Sequence, residues 1–540
     1  MRLNKCFSVI SSIVLAGPVA AWVDRAHPFG RPPPPEDHQL ATAGADGPSR
    51  EATFQQLIDH KNPGLGTFSQ RYWYNAQYYA GPGSPIVLNA PGESDASDFY
   101  TTNATLPGMF GKTNGAAVIV VEHRYWGESS PYKNLSTTNL QYLTLDNAIQ
   151  DLIYFAKNVE LPFDVNGTSK PDKAPWVLTG CSYSGALSAW IYRLAPGTFW
   201  AYHCSSAVVE AISDFWQYNQ PIAEAMPKNC TKDMQKAIKH IDGVLSNGTA
   251  EAQHSLKKRF GLEAITHNDD FGQALIGGLQ GWQGTMFYQK SRPNPLYQFC
   301  DYIENVFPDK KNRTIPGPEG VGTCKALNGF AKWSREVMIP GSCAKYGYWK
   351  DNNTVACYDM NNKDNPYYHD LSVNNTINRQ WTWFTCNEPF EWWQVSSPDD
   401  TTGLVSKFLD VNYNYMQCRN YFPREGNHTF GLDAGRTSAQ VNRKTGGWNV
   451  GNTTRLMWVN GEYDPWKPAT VSADARPGGP LQSTPDAPVW VIPKAAHCND
   501  VLTKNADANP EVRKIVDDIL ATMKKWVGEY YVGKDHPSNA

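Results

Sequence analysis

Ser182 stands where its hydroxyl could act as a nucleophile. It lies in the segment 179–186, Thr-Gly-Cys-Ser-Tyr-Ser-Gly-Ala, which follows the apolar residues 176–178 and leads into a helical pattern. A strand that turns sharply into a helix presents a serine at the apex of the turn. Such a turn requires small residues two positions before and after the serine, and Gly180 and Ser184 occupy them, although Gly is usual at the second place. Since Ser also caps ordinary helices, the motif needs partners.

Two later apolar segments are followed by an Asp and a His. A serine nucleophile on such a strand-to-helix turn has its partners in the chain order Ser, then Asp or Glu, then His. Asp464 follows residues 455–459, and His497 follows residues 489–493. Sites form where the carboxyl ends of parallel strands meet at one edge of a sheet, so we expect the three side chains to converge. We predict that His497 takes the proton of Ser182 and returns it to the leaving amine, while Asp464 orients the imidazole.

Other roles are open to these residues. Glu462 is a competing carboxylate on the loop of Asp464, an Asp before Pro is commonly a turn former, and a lone His is commonly structural. We assign the triad because three roles at three strand ends in the required order seldom coincide. The predicted oxyanion donors are the backbone N–H of Tyr183 and an N–H from the loop 89–94, which we assign to Gly92.

The elements that must position these residues form an α/β pattern. Strand and helix patterns alternate from about residue 85 to 210, as a doubly wound parallel sheet requires. Apolar segments predict strands at 85–89, 116–121, 176–178, 200–209, 455–459 and 489–493. Helical stripes cover 143–156 and about 510–526. The predicted fold is an α/β-hydrolase, a doubly wound mostly parallel sheet with a large, mainly helical inserted cap domain.

The organisation of the chain follows from where these patterns begin and stop. A basic start, a short apolar segment and small residues at 19–21 are typical of a secretory signal. The predicted parts are a signal peptide at 1–21, a flexible or processed leader at 22–50, a hydrolase core at 51–210 and 406–533, a helical cap at 211–405, and a tail at 534–540.

Composition narrows the possible partners. The chain has 540 residues and a net charge of −3 with no basic run, which argues against nucleic acid as a partner. After the signal peptide no segment approaches ~20 apolar residues, so we expect no membrane anchor. No His-Glu-x-x-His or paired Cys-x-x-Cys motif occurs, and the segment 111–113 lacks the spacing of a phosphate loop. We therefore predict no metal site and no cofactor.

Cysteines and glycosylation motifs agree with secretion. Ten cysteines remain after the signal peptide, an even number that suggests disulfides in an oxidising compartment. We expect Cys181 to be packed or disulfide-bonded, with Cys204 on the neighbouring strand as a candidate partner. Ten Asn-x-Ser/Thr motifs begin at Asn103, Asn134, Asn166, Asn229, Asn247, Asn312, Asn352, Asn374, Asn427 and Asn452.

These residues resemble the family of proline-specific serine peptidases that includes lysosomal Pro-X carboxypeptidase, dipeptidyl peptidase II and the secreted fungal prolyl endopeptidases. Shared motifs lie at 122–129, 141–144, 180–190, 460–466 and 496–498, and the fungal branch adds 69–73, 195–203, 386–390 and 445–448. The resemblance covers roughly residues 50–533. It implies an α/β-hydrolase with a helical insert, cleavage on the carboxyl side of proline and a preference for acid pH. Members with Gly-Gly-Ser-Tyr-Gly-Gly at the turn differ here at Cys181 and Ser184.

The predicted function is a secreted serine peptidase that cleaves proline-containing peptides after proline by a Ser-Asp-His acyl-enzyme mechanism, as an endopeptidase. The alternatives are an exopeptidase of the same family, a secreted carboxylesterase, or a vacuolar or lysosomal location. A non-catalytic adhesion relative would typically lack the Ser or the His, and this chain keeps both. Because Pro465 carries the chain rigidly from Asp464 to Trp466, we predict that Trp466 walls a slot for the proline ring, with Trp448 as a second wall.

Overall fold

A computed structural model of the protein describes residues 49–535, apart from 165, 290–293, 308–313 and 399–401. The predicted signal peptide and nearly all of the leader lie outside the described residues. The strands are β1 Ser49–Leu57, β2 Thr67–Asn75, β3 Ile86–Asn89, β4 Ala117–Val121, β5 Trp176–Cys181, β6 Ala201–Ser205, β7 Ile212–Asp214, β8 Glu391–Trp393, β9 Leu456–Gly461 and β10 Val489–Ile492. β1 begins two residues before the predicted start of the core.

Eight of these strands form one central sheet in the order β1-β2-β4-β3-β5-β6-β9-β10. β2 pairs antiparallel with both β1 and β4, and all other neighbours are parallel. This order, with a single reversed strand near one edge, is that of an α/β-hydrolase, and the predicted fold class is confirmed. β7 and β8 form a separate two-stranded parallel sheet.

The central strands form because their apolar side chains are buried on both faces of the sheet. All five residues of β4 are buried, and alternate residues enter opposite layers. Val118 packs in the layer that holds the first and last helices of the fold, whereas Ile119 faces the layer shared with the cap. The sheet is therefore held between two apolar layers, and polar function is left to the loops at its edge.

The helices cover the sheet and build the inserted region. Their bounds are α1 Leu106–Asn114, α2 Leu145–Asn158, α3 Tyr183–Leu194, α4 Asn219–Ala225, α5 Lys228–Asn247, α6 Ala250–Phe260, α7 Asn268–Leu275, α8 Gly277–Gln280, α9 Pro295–Ile303, α10 Thr323–Trp333, α11 Pro366–His369, α12 Arg379–Asn387, α13 Val411–Tyr421, α14 Ser438–Thr445, α15 Thr503–Ala508 and α16 Pro510–Asp535. α4 to α14 lie between β6 and β9 in the sequence, as expected for a mainly helical cap. None of the described helices is both long and apolar enough to cross a bilayer.

Four disulfides join described cysteines, which confirms the expectation of disulfide bonding. They are Cys181–Cys498, Cys230–Cys300, Cys343–Cys357 and Cys386–Cys418. The proposed pairing of Cys181 with Cys204 is wrong, since Cys204 is a free, buried thiol. In the register of β5 and β6, Cys204 stands opposite Gly180 and Ser205 stands opposite Cys181. The two thiols therefore point to opposite faces of the sheet.

Candidate active site

The turn between β5 and α3 places Ser182 at its apex in a strained backbone conformation. Ser182 has φ 60° and ψ −128°, a combination that costs a non-glycine residue on the order of 1–3 kcal/mol. Its N–H donates to the carbonyl of Ser205 at 2.9 Å, which ties the turn to the end of β6. A Cβ on Gly180 would lie 2.3 Å from the carbonyl oxygen of Ser184, so only glycine permits this tight turn.

The predicted oxyanion donors lie on either side of this turn. Tyr183 is the first residue of α3, where a backbone N–H has no partner within the helix. Ser184 Oγ donates to the carbonyl of Pro91 at 2.7 Å, which attaches the loop 89–94 to the helix start. Gly92 lies next in that loop and lines the same cavity as Ser182.

His123 holds the side chain of Tyr183 away from the cavity. Its Nδ1 donates to the carbonyl of Arg124 at 2.9 Å, which leaves Nε2 to accept from the Tyr183 hydroxyl at 3.0 Å. Burial lowers the pKa of His123 to about 4, so its ring is neutral near pH 7. Arg124 in turn forms a buried ion pair with Asp151 on α2. The motif at 122–129 thus supports the turn through the contact of His123 with Tyr183.

Asp464 and His497 meet on neighbouring loops beyond β9 and β10. His497 Nδ1 lies 2.9 Å and 3.0 Å from the two carboxylate oxygens of Asp464. Both side chains are almost wholly buried, at 4% and 0% exposure. His497 Nε2 is buried and has no hydrogen-bond partner among the described residues. A neutral ring that donates from Nδ1 to the carboxylate keeps Nε2 as a free proton acceptor.

The Asp and His loops are held together by their backbones. Tyr463 N–H donates to the carbonyl of Ala495 at 2.9 Å, so the parallel pairing of β9 and β10 continues into the loops. A Cβ on Gly461 would lie 2.2 Å from the carbonyl oxygen of Ala496, which requires glycine there. The competing carboxylate, Glu462, accepts the N–H of Lys494 at 2.7 Å and does not contact His497.

Ser182 and His497 line one cavity of about 190 Å³. The disulfide between Cys181 and Cys498, the residues directly before Ser182 and directly after His497, lies in its wall. Most of the lining comes from the segments 89–97, 179–184, 283–289 and 497–502. The cavity therefore lies between the sheet edge and the inserted region, where an extended substrate could reach the serine.

Trp466 lies behind His497, with ring centroids 6.2 Å apart. Its backbone N–H donates to Asp464 Oδ1 at 2.9 Å, and its indole Nε1 donates to Gln283 Oε1 at 2.8 Å. The indole packs against Trp392 and other aromatic rings and lines a separate cavity of about 20 Å³, not the cavity at Ser182. Trp448 does not line the cavity at Ser182, and its backbone N–H donates to the carboxylate of Glu210.

Two features of the site gave no usable signal in the sequence. Gln283 comes from the inserted region and reaches the core through Trp466, in a segment without a recognisable motif. Cys498 pairs with Cys181 across 317 residues, and cysteine counts alone cannot reveal a pairing. Its position directly after His497 was visible, but the contact depends on the path of the loops.

Comparison with known proteins agrees with this geometry. The family model described as "Serine carboxypeptidase S28" matches residues 55–519. The chain is 42% identical over 487 residues to the serine protease vicPb of Bipolaris victoriae, covering 89% of this chain and 90% of the relative. It is 41% identical to vicPa of the same organism, covering 90% of each.

A probable extracellular serine carboxypeptidase of Arthroderma benhamiae is 30% identical over 450 residues, covering 80% of this chain and 59% of that protein. The matched region runs from the first strands to α16 and includes Ser182, Asp464 and His497. A serine in a strained strand-to-helix turn, with an Asp–His pair on the same cavity, is the arrangement that a serine peptidase uses. The chain therefore belongs to the S28 family of serine peptidases.

Proposed function

We propose that this protein is a secreted endopeptidase that cleaves on the carboxyl side of proline through Ser182, His497 and Asp464. The observation that carries the proposal is the Asp464–His497 hydrogen bond, which leaves Nε2 without a partner among the described residues, in a histidine that lines the same cavity as Ser182. Membership of the S28 family makes the chain a serine peptidase. We propose in addition that it cleaves after proline, that it cleaves internal bonds and that it is secreted.

The proposed reaction has two halves, the formation of an acyl-enzyme and its hydrolysis, and the same residues act in both. His497 Nε2 takes the proton from Ser182 Oγ as the oxygen attacks the carbonyl carbon, and the oxyanion accepts hydrogen bonds from the N–H of Tyr183 and of Gly92. His497 then gives the proton to the leaving amine, which departs as an acyl-enzyme forms. Water repeats the sequence and releases the acid. Asp464 keeps the proton on Nδ1 throughout and stabilises the imidazolium.

Selection of proline is proposed to rest on Trp466. Its indole lies beside His497 and within a group of aromatic rings, so an apolar ring bound there would be close to the scissile bond. Proline has no N–H, and an aromatic slot can bury it without leaving a donor unpaired. Trp448 remains a predicted second wall that no described contact supports.

The charge of the cavity favours an endopeptidase over a carboxypeptidase. Among the described lining residues, Glu93 and Asp95 are carboxylates, and they would repel the free carboxylate of a substrate bound next to them. A carboxypeptidase must bind the free carboxylate of its substrate, for which Arg or Lys is the usual partner. An internal peptide segment carries no such charge.

Secretion is supported by the surface of the protein as well as by the N-terminal pattern. Of the nine glycosylation motifs whose Asn is described, eight have an exposed Asn, and Asn229 is half-buried. The four disulfides described above are expected in an oxidising compartment. The signal peptide itself lies outside the described residues.

Mass spectrometry of the products from matched long and short peptides tests the proposal. Peptides with one internal proline, with proline next to the C-terminus and with proline second from the N-terminus would be digested in parallel. We expect cleavage after the internal proline, with long peptides cleaved at rates comparable to those of short ones. Release of single C-terminal residues, or of N-terminal dipeptides alone, would support an exopeptidase. Hydrolysis of esters without peptides would support a carboxylesterase.

A further inference from the structure

The loop that carries His497 must reach across half the sheet to meet Ser182. β5 and β10 are separated by β6 and β9. Three strand spacings amount to about 14 Å, since neighbouring strands lie about 4.8 Å apart. The Cα atoms of Cys181 and Cys498 are nevertheless 6.0 Å apart, because a disulfide joins them. One covalent bond therefore links the neighbour of the nucleophile to the neighbour of the base.

Polar contacts seat the same loop on the strand between them. Cys498 N–H donates to Ser206 Oγ at 3.0 Å. Asp500 accepts from Ser205 Oγ at 2.5 Å and pairs with His203 Nε2 at 2.9 Å. These contacts hold the loop on β6, and they reach β5 only indirectly, because His203 Nδ1 lies 2.9 Å from Thr179 Oγ1. Among these links, the disulfide alone joins the loop directly to β5, which ends at Cys181, next to Ser182.

The disulfide is also the most accessible of the four that join described residues. Both of its cysteines line the cavity, and its sulfurs lie within 4.8 Å of a ring nitrogen of His497. Cys498 is 8% exposed and Cys181 more, whereas the cysteines of the other three are 0–5% exposed. A small thiol that enters the substrate cavity meets this bond first.

We propose that the Cys181–Cys498 disulfide positions Ser182 and His497 for proton transfer, and that its reduction by a small dithiol reversibly inactivates the enzyme. This inference rests on the proposed function of the same site. A thiolate of the dithiol attacks one sulfur, forms a mixed disulfide and releases the other cysteine as a thiolate. Its second thiolate then displaces the first cysteine. The dithiol is oxidised to a cyclic disulfide, and the protein gains two electrons and two protons.

Variants of the full-length protein separate positioning from general stability. We expect Cys181→Ala/Cys498→Ala to lower kcat at least tenfold while KM for a proline peptide stays within threefold. Labelling of Ser182 by a small fluorophosphonate should slow in parallel, because it needs the same serine and base. The matched control, Cys343→Ala/Cys357→Ala, removes a disulfide of the cap and should keep kcat within twofold. A folded Cys181→Ala/Cys498→Ala protein with parental kcat and labelling would overturn the proposal.

Reduction of the folded wild-type protein tests the same point without any substitution. After a brief pulse of dithiol, alkylation and peptide mapping should find Cys181 and Cys498 modified before the cap cysteines. Activity should fall in proportion, and reoxidation in a sample without alkylating agent should restore it. Wild-type protein already carrying the fluorophosphonate adduct should be alkylated more slowly at this pair. Full activity with the pair alkylated, or earlier opening of the cap disulfides, would reject the inference.

The two hypotheses fail in different ways. A wild-type protein that is not labelled at Ser182 and cleaves no peptide would reject the proposed function. A wild-type protein that is labelled and active, and whose activity is unchanged when this disulfide is opened, would reject the positioning role alone.

Discussion

Ser184 Oγ donates a hydrogen bond to the carbonyl of Pro91 at 2.7 Å, and this contact joins the start of α3 to the loop that carries Gly92. The hydroxyl of Ser184 is therefore engaged within the protein, while Ser182 stands at the apex of the turn. The hydrogen bond to Pro91 also gives a reason for a serine at position 184, which glycine usually occupies. The Ser184 side chain holds the loop that carries Gly92, the second proposed oxyanion donor.

Ser182 is expected to be the residue that a fluorophosphonate labels, as identified by peptide mapping. Ser182→Ala should lower turnover by several orders of magnitude, because the nucleophile is lost. The matched control is Ser184→Ala, which keeps the nucleophile and loses only the hydrogen bond to Pro91, so it should retain labelling at Ser182 and a turnover far above that of Ser182→Ala. Labelling at Ser184 would contradict the assignment.

Asp464→Asn should lower kcat by roughly 10⁴, by analogy with the equivalent change in a well-studied serine protease. The amide cannot keep the proton on His497 Nδ1 or stabilise the imidazolium, so Nε2 ceases to be an effective base. Glu462→Gln is the control, since Glu462 contacts the N–H of Lys494 and not the imidazole. Steady-state kinetics and circular dichroism of both variants decide the matter. If Glu462→Gln were the more damaging change, the roles would be reversed.

Trp466→Ala should lower kcat/KM for proline peptides by about 10- to 100-fold, the loss expected for one aromatic wall of a buried ring. Labelling by a small fluorophosphonate should be spared, because that probe does not fill the slot. Trp466→Phe keeps a ring but loses the hydrogen bond to Gln283, so its kcat/KM should lie between that of the wild type and that of Trp466→Ala. Trp448→Ala tests the second predicted wall. Parallel loss of stability, labelling and all substrates in Trp466→Ala would mean that the indole is only a core residue.

Glu388 should make the protein more stable in mild acid than at neutral pH. Burial raises the pKa of Glu388 from 4.5 to about 7, so the folded protein binds its proton more tightly than the unfolded chain does. Its contribution is full below pH 4.5 and is lost as pH rises through 7. Burial also raises the pKa of Asp270 to about 6 and that of Glu304 to about 7, with the same sign.

Thermal unfolding between pH 4.5 and 7.5 measures this effect. Glu388→Gln stays neutral, so its melting temperature should fall less than that of the wild type as pH rises, by an amount worth a few kcal/mol. Glu425 provides a control of opposite sign. Although burial acts against it, hydrogen bonds from Thr138 and Thr137 lower the pKa of Glu425. Glu425→Gln should therefore lose stability mainly above pH 4.5. Identical pH profiles for wild type and Glu388→Gln would refute the assignment.

The mature protein is expected to begin at or beyond Trp22, and glycosidase treatment should reduce its mass. Intact-mass and N-terminal analysis of protein secreted by a eukaryotic host would measure both. Substitution of an exposed acceptor, such as Asn352→Gln, should remove one glycan. Ten free thiols in the native mature protein would contradict an oxidising compartment.

The sequence alone determined the features that depend on local pattern. Apolar segments located β3, β4, β5, β6, β9 and β10 to within a few residues. The first five are buried along almost their whole length, which favours apolar side chains, whereas β10 at the edge of the sheet is only partly buried. The order of Ser182, Asp464 and His497 after three of these strands then led to the candidate site. The edge strand β1, which pairs antiparallel with β2, was missed, since its half-buried residues carry only a weak alternation.

Only the tertiary structure decided which distant residues meet. The pairing of Cys181 with Cys498 rather than Cys204 depends on strand register and on the path of a loop across the sheet. The contact of Gln283 with Trp466, and the distance of Trp448 from the cavity, depend on how the inserted region folds back over the core. A local pattern specifies which face of its own strand or helix a side chain occupies. It does not specify which loop, hundreds of residues away, is packed against that face.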